Sequence, residues 1–168
     1  MKCLCFSDSH GNLRYMKQAI ERHRDAEVIF FLGDGLSDLD RVIDLAEDKA
    51  VFCVKGNCDV FGVLSEREVL KTSSVSLGGK RIVFTHGDLY GAKYGFEGLC
   101  RLAEETNADI VLFGHTHYAV EKYISLEERG VYLLNPGTVG GVYFKPSYGV
   151  LNIDGEFVSF SIMNFADL

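Results

Sequence analysis

Five short apolar runs in this chain each end in a cluster of Asp, Asn, His and Gly. Cys3-Leu4-Cys5-Phe6 leads into Asp8-Ser9-His10, and Val28-Ile29-Phe30-Phe31-Leu32 into Gly33-Asp34. Val51-Phe52-Cys53-Val54 leads into Gly56-Asn57-Cys58-Asp59, and Arg81-Ile82-Val83-Phe84-Thr85 into His86-Gly87. Ile110-Val111-Leu112-Phe113 leads into Gly114-His115-Thr116-His117. The run at 27–32 is apolar without alternation, as a strand buried on both faces should be. In an open α/β sheet, ligands bind at the carboxyl ends of the strands. Five such ends therefore point to one shared site.

The spacing along the chain predicts strand 2–7, helix 12–24, strand 27–32, helix 37–47 and strand 50–54, a βαβαβ start with parallel strands. Residues 67–77 alternate, and Gly78-Gly79 turns them into a strand at 80–85. A helix at about 93–106 and a strand at 109–113 follow. After the His-Thr-His loop come strands near 119–126, 131–134, 147–153 and 156–163, with Asp154-Gly155 as a hairpin turn. The second half thus reads as mostly antiparallel. The expected fold is α/β: two packed mixed β-sheets flanked by helices, a four-layer αββα sandwich. Residues 1–168 read as one domain, long enough to bury a core.

The clusters hold seven residues of metal-ligand type: Asp8, His10, Asp34, Asn57, His86, His115 and His117. Their donors are nitrogen and oxygen only, which suits Mn, Fe, Zn or Mg rather than a thiolate site. Asp8 and His10, like His115 and His117, lie two residues apart. In extended segments such pairs point the same way, so each pair could hold one ion. The bland reading of a lone Asp-x-His is a helix cap by Ser9 or Asn12. It does not account for five clusters in order.

The net charge of −7 disfavours stable binding to nucleic-acid polymers or anionic membranes. A small phosphorylated substrate remains open, because bound cations reverse the local field. Five cysteines without a CxxC pair give neither a disulfide framework nor a zinc knuckle, and suit a reducing compartment. The apolar run before Asp8 is too short for a signal peptide, and no stretch approaches ~20 apolar residues. The expected location is cytoplasmic.

Asp8-x-His10, Gly33-Asp34-x3-Asp38, Gly56-Asn57-Cys58-Asp59, His86-Gly87 and Gly114-His115-Thr116-His117, in this order, resemble the five motifs of the calcineurin-like metallophosphoesterases. The small single-domain bacterial and archaeal phosphodiesterase branch is the nearest resemblance, and Asn135-Pro136-Gly137-Thr138 is similar to an Asn-Pro-Gly-Ser segment of that branch. Any one motif is weak; the ordered set is specific. The resemblance implies two divalent metal ions, Mn foremost, with Fe, Zn, Ni or Mg as alternatives. Asp8, His10 and His117 would hold the first; Asn57, His86 and His115 the second; Asp34 would bridge them. It implies hydrolysis of phosphate esters, preferably diesters, by water or hydroxide activated at the ion pair. The catalytic group would comprise Asp34, Asn57, Cys58, Asp59 and His86, with Asp59 orienting a ligand. A phosphomonoesterase acting on nucleotides or phosphoproteins is the alternative enzyme. A non-catalytic scaffold of the retromer-subunit type is the alternative from another class, and the seven filled ligand positions argue against it.

Three positions depart from the family pattern. Many relatives carry His where Cys58 stands, and many small relatives read His-Gly-His where this chain has Asp88. Val142 and Tyr143 replace the usual Pro-Arg after Asn-Pro-Gly. These bear on substrate rather than on metal. His23 reads as core edge or surface, and Asp38 as a helix N-terminal or ligand-supporting carboxylate. The loop Gly87–Gly95 could flank the substrate. Tyr132, Tyr143, Phe144 and Tyr148 read as core or subunit interface, which leaves a homodimer or homotetramer open.

Overall fold

The apolar runs alternate after all, but between two buried faces. In strand β1 (Lys2–Phe6), Leu4 and Phe6 pack with Met16, Ala19 and Ile20 of helix α1 (Arg14–Arg22), while Cys3 and Cys5 point the other way. The same split occurs in β2 (Val28–Phe31), where Ile29 and Phe31 face the helices and Val28 and Phe30 do not. A strand with apolar residues at every position has no face for water, so it needs a layer on each side. The computed structural model describes residues 1–60, 63–64, 67–127, 129–141 and 143–165.

Short helix α2 (Leu36–Asp40) adds Leu36 and Leu39 to the α1 layer, and β3 (Ala50–Cys53) completes the parallel trio β1, β2, β3. The predicted helix over 37–47 is two pieces: α2, then a 3-10 turn at Ile43–Ala46. The predicted strand at 67–77 is likewise broken. A small pair, β4 (Val63–Leu64) and β5 (Arg67–Glu68), precedes β6 (Thr72–Leu77).

The second sheet is built on β7 (Lys80–Thr85). Helix α3 (Glu97–Thr106) leads to β8 (Ile110–Leu112), and then come β9 (Ala119–Ser125) and β10 (Gly130–Pro136). Its order is β6-β7-β8-β10-β9, with β7, β8 and β10 parallel and the edge strands antiparallel. The expectation of a mostly antiparallel second half therefore misses this parallel centre. The last hairpin, β11 (Ser147–Asp154) and β12 (Phe157–Asn164), returns to the first sheet, whose order is β12-β11-β1-β2-β3. The hairpin forms where expected, but its two turn residues are Gly155-Glu156, one position later than Asp154-Gly155, because Asp154 still pairs with Phe157.

Between the sheets, Cys3, Cys5, Phe30 and Leu32 meet Ile82, Phe84, Ile110, Leu112 and Leu134. On the outer face of the second sheet, Val83, Val111, Phe113 and Leu133 meet Leu99, Leu102 and Ala103 of α3. The result is the four-layer αββα sandwich. Each fully buried Phe or Leu contributes about 1.5–3 kcal/mol by leaving water, so the layers fix the strand ends firmly. Among the described residues, no helix is long and apolar enough to cross a membrane.

Candidate metal centre

The carboxyl ends of β1, β2, β3, β7 and β8 lie along one edge of the sandwich, and their polar clusters meet there. The loops leaving β1, β2 and β8 share an unusual backbone. Asp8, His10, Asp34, His115 and His117 all have left-handed φ, at 57°, 46°, 57°, 66° and 62°. L-residues visit this region rarely, and Asp and His are among those that do. The loops are thus tight turns, not extended segments, and the expectation that each i, i+2 pair serves one ion fails for His115 and His117.

These two histidines part company. His117 Nε2 lies 3.2 Å from Asp8 Oδ1 and 3.2 Å from His10 Nε2. His115 Nδ1 instead lies 3.2 Å from His86 Nε2, which is 3.3 Å from Asp34 Oδ2. Two clusters result, Asp8/His10/His117 and Asp34/His86/His115, each with its ligand atoms within 4.8 Å of one another. Asp34 also groups with His10 and Cys58, so it stands between the clusters.

The donor sets fit divalent cations. Asp8 is wholly buried, and its Oδ1 has no hydrogen-bond donor aligned on it, although Oδ2 accepts from the His115 N–H at 3.0 Å. A buried anionic oxygen aimed at two imidazole nitrogens is the arrangement a cation completes. Burial would raise the Asp8 carboxyl, but His10 and His117 outweigh it and hold the group well below the usual carboxylate range. The Asp8 carboxylate in turn raises His10. Burial alone would lower His86, but Asp34 and Asp8 more than offset it and raise it. Burial, together with the facing His86, lowers His115.

Buried groups brace the ligands from behind. His86 Nδ1 donates to the Leu32 carbonyl at 2.7 Å, which leaves Nε2 free to bind. Asp59 accepts from the backbone N–H groups of Asp34, Gly35, Leu36 and Gly56, and so holds the Asp34 turn. Its place among the expected catalytic residues is that of a support: it joins neither cluster. Asp38 accepts from Ser9 Oγ at 2.6 Å and the Gly11 N–H at 2.8 Å, which pins the Asp8–His10 turn. Neither Ser9 nor Asn12 is the α1 cap: the N-cap is Leu13, and Asn12 Oδ1, in the turn before it, accepts from the Arg14 N–H at 3.2 Å. Two motif glycines are required by close approach. A Cβ at Gly56 would collide with the Asp34 carboxylate, and one at Gly114 with the Ser7 side chain.

The remaining expected residues lie at the rim. Asn57 is exposed beside the Asp34 cluster, its Nδ2 donating to Cys58 Sγ at 3.2 Å. The Cys58 thiol is pushed up to about 11 by burial and by the Asp34 carboxylate. Asp88 pairs with Lys71 at 2.8 Å. His23 shares a hydrogen bond with Tyr148 OH at 2.8 Å and joins neither cluster. Sequence reasoning gave no role to Asn135 and Thr138, which support two ligand loops. Asn135 Nδ2 donates to the Gly114 carbonyl and to Thr116 Oγ1, and Thr138 Oγ1 donates to the Asp8 carbonyl. Only the Asn-Pro-Gly-Thr segment pointed toward them.

A cavity of about 580 Å³ opens beside His115 and His117, walled by Ala92, Phe96, Tyr118, Val120 and Phe144, with Lys93 at its side. The Gly87–Gly95 loop thus borders the site through Ala92 and Lys93. Of the four aromatics read as core or interface, Tyr148 is core, Tyr132 packs on Tyr123, Tyr143 is exposed, and Phe144 lines this cavity. Val142 lies outside the described residues.

A calcineurin-like phosphoesterase superfamily domain model matches residues 1–156. The chain belongs to that superfamily. The Bacillus subtilis (strain 168) protein named "Probable metallophosphoesterase YsnB" is 35% identical over 158 residues, covering 93% of this chain and 86% of its own. An archaeal phosphodiesterase superposes with a TM-score of 0.73 at 22% identity, over 97% of this chain and 100% of that one. Vps29 from Entamoeba histolytica complexed with Zn²⁺ does so with a TM-score of 0.73 at 21% identity, over 98% and 99%. At such identities the two structures speak for the fold alone. As a calcineurin-like phosphoesterase, the chain is a metal-dependent hydrolase of phosphate esters, and the two Asp/His clusters are where divalent ions fit.

Proposed function

We propose that the protein is a phosphodiesterase working with two divalent ions, Mn²⁺ foremost, on a small phosphorylated substrate in the cytoplasm. The position of Asp34 between two clusters of Asp and His carries this reading. Asp8, His10 and His117 would hold one ion, and His86 and His115, with the Asn57 amide at the rim, the other. Asp34 would be shared, since two neighbouring cations need an anion between them. Ions held there would supply Lewis-acid polarisation of the phosphoryl oxygens and a water of lowered pKa.

The rest of the chemistry belongs to the chain. His86 is locked by the Leu32 carbonyl, so its free nitrogen does not wander. Asp59 and Asp38 hold the two carboxylate turns at fixed separation. Cys58 keeps its proton at neutral pH and, with weak S–H hydrogen bonds, gives a departing oxygen little help. Good leaving groups are therefore favoured. A diester suits the cavity better than a monoester does. Among the described residues lining it, Lys93 is the one Lys or Arg, and the other walls are apolar apart from the ligand loop and the Tyr118 hydroxyl. A singly charged ester carrying an organic group matches that balance.

The test is elemental analysis of Mn²⁺-loaded protein together with hydrolysis of aryl diesters and aryl monoesters that share one leaving group. The expected result is two ions per chain and faster diester cleavage. A monoester preference would make the protein a phosphomonoesterase. No turnover of either with both ions bound would favour a non-catalytic scaffold.

A further inference from the structure

The cavity beside His115 and His117 has a composition the metal centre does not explain. Phosphoryl groups need charge and hydrogen bonds, yet most of these walls are carbon. Phe144 stands nearly perpendicular to the His117 ring, at 89° and 5.3 Å between centroids, and to Tyr118, at 82° and 4.9 Å. An edge-to-face pair covers one face of only one of its two rings, so other ring faces remain for a ligand. Phe96 is engaged elsewhere, against Phe113 and beneath the Lys122 ammonium at 4.8 Å. The rings left to meet a ligand are thus Phe144 and Tyr118, and Tyr118 is 65% exposed.

We propose that Phe144 and Tyr118 form a subsite for a planar aromatic substituent of the substrate, with Lys93 facing the phosphoryl charge. The proposal rests on the metal-ester reading above and names the substrate class: phosphate esters bearing an aromatic ring. Three features of the cavity carry it. The cavity shares His115 and His117 with the metal centre, so a phosphoryl group held by the ions projects its substituent into it. Its volume of about 580 Å³ is that of an ordinary small-molecule site. Lys93 lines the same cavity as His115 and His117, which places a cation where a phosphoryl oxygen would enter. The pocket then discriminates by the group on the ester, and the metal centre by the phosphorus.

The experiment uses Mn²⁺-loaded protein and two unreactive probes, methylphosphonate and phenylphosphonate, titrated by calorimetry. Stacking on one or two rings should make phenylphosphonate bind about tenfold more tightly. In Phe144→Ala, and separately in Tyr118→Ala, that ratio should fall toward one, with methylphosphonate binding in the same variant as proof of an intact centre. A nucleoside phosphonate distinguishes the sources of the ring: tighter binding than phenylphosphonate points to a nucleobase, weaker binding to a simple aryl group. Equal binding of the two probes by the unmodified protein overturns the subsite and leaves the metal reading standing. A ratio that survives both substitutions also overturns it. Binding of neither probe removes the subsite and the metal-phosphoryl reading together.

Discussion

Asp59 supports the centre without joining it, and Asp59→Asn measures how much that support matters. In the native turn, Oδ1 accepts from the Gly35 and Leu36 N–H groups at 2.8 and 2.9 Å, and Oδ2 from those of Asp34 and Gly56 at 2.8 Å each. Asparagine keeps one carbonyl oxygen and turns an NH₂ group toward the other two N–H donors. Two hydrogen bonds to a charged acceptor are lost, each worth about 1.5–3 kcal/mol. The turn is only partly buried, so water recovers some of this. The net cost is about 3 kcal/mol, which lowers the melting temperature by about 6–12 °C for a chain of this size. The turn also carries Asp34, so Mn²⁺ affinity should drop by about 10–100-fold. Thermal unfolding followed by circular dichroism, and calorimetric titration with Mn²⁺, read the two effects. A variant that melts with the parent protein would show that the four N–H groups find equivalent partners. One that melts lower yet binds Mn²⁺ unchanged would show that the Asp34 turn does not depend on Asp59.

Three further outcomes are expected. Asp34→Asn should abolish activity far more completely than Asp38→Asn, because only Asp34 lies between the clusters and an Asn at 38 can still accept from Ser9 and Gly11; equal losses in two folded variants would contradict this. His10 and His86 are raised, so the stability they contribute is complete below the ordinary imidazole value of about 6.5 and is lost as pH rises through their folded values. Without added metal the melting temperature should therefore fall on the alkaline side, while Mn²⁺ affinity rises over the same window as the ligand nitrogens lose protons; flat profiles in both between pH 6 and 8 would refute the assignment. Cys58→His should flatten the dependence of rate on leaving-group pKa across a series of aryl diesters and help poor leaving groups by up to ~10²–10⁴-fold; parallel slopes would mean that position 58 donates no proton.

The chemistry of the site was legible because it is local. Each apolar run announces a strand, and each strand end carries its Asp, Asn or His within four residues. The layer order was legible for the same reason, since Cys3-Leu4-Cys5-Phe6 needs cover on both faces. The geometry was less so. The partition of His115 and His117 depends on left-handed turns, which residue type permits but does not dictate. Asn135 and Thr138 reach loops more than twenty residues away along the chain, through strand pairings no short window contains. The early end of α2 at Asp40 leaves Asp38 on Ser9 and Gly11 rather than on a long helix.

Among the described residues, five of the six non-glycine residues with positive φ are candidate ligands. An L-residue in that conformation costs roughly 1–2 kcal/mol against a relaxed backbone. The metal edge therefore carries tension that the sandwich beneath it must resist, and ligand removal is not a neutral operation on the fold. His115→Ala discards the imidazole and keeps the backbone cost; His115→Gly discards both. The glycine variant should be the more stable of the two, so an alanine scan of these loops mixes lost chemistry with unrelieved tension. The loops that would grip the ions are also the places where the chain gives up stability for readiness.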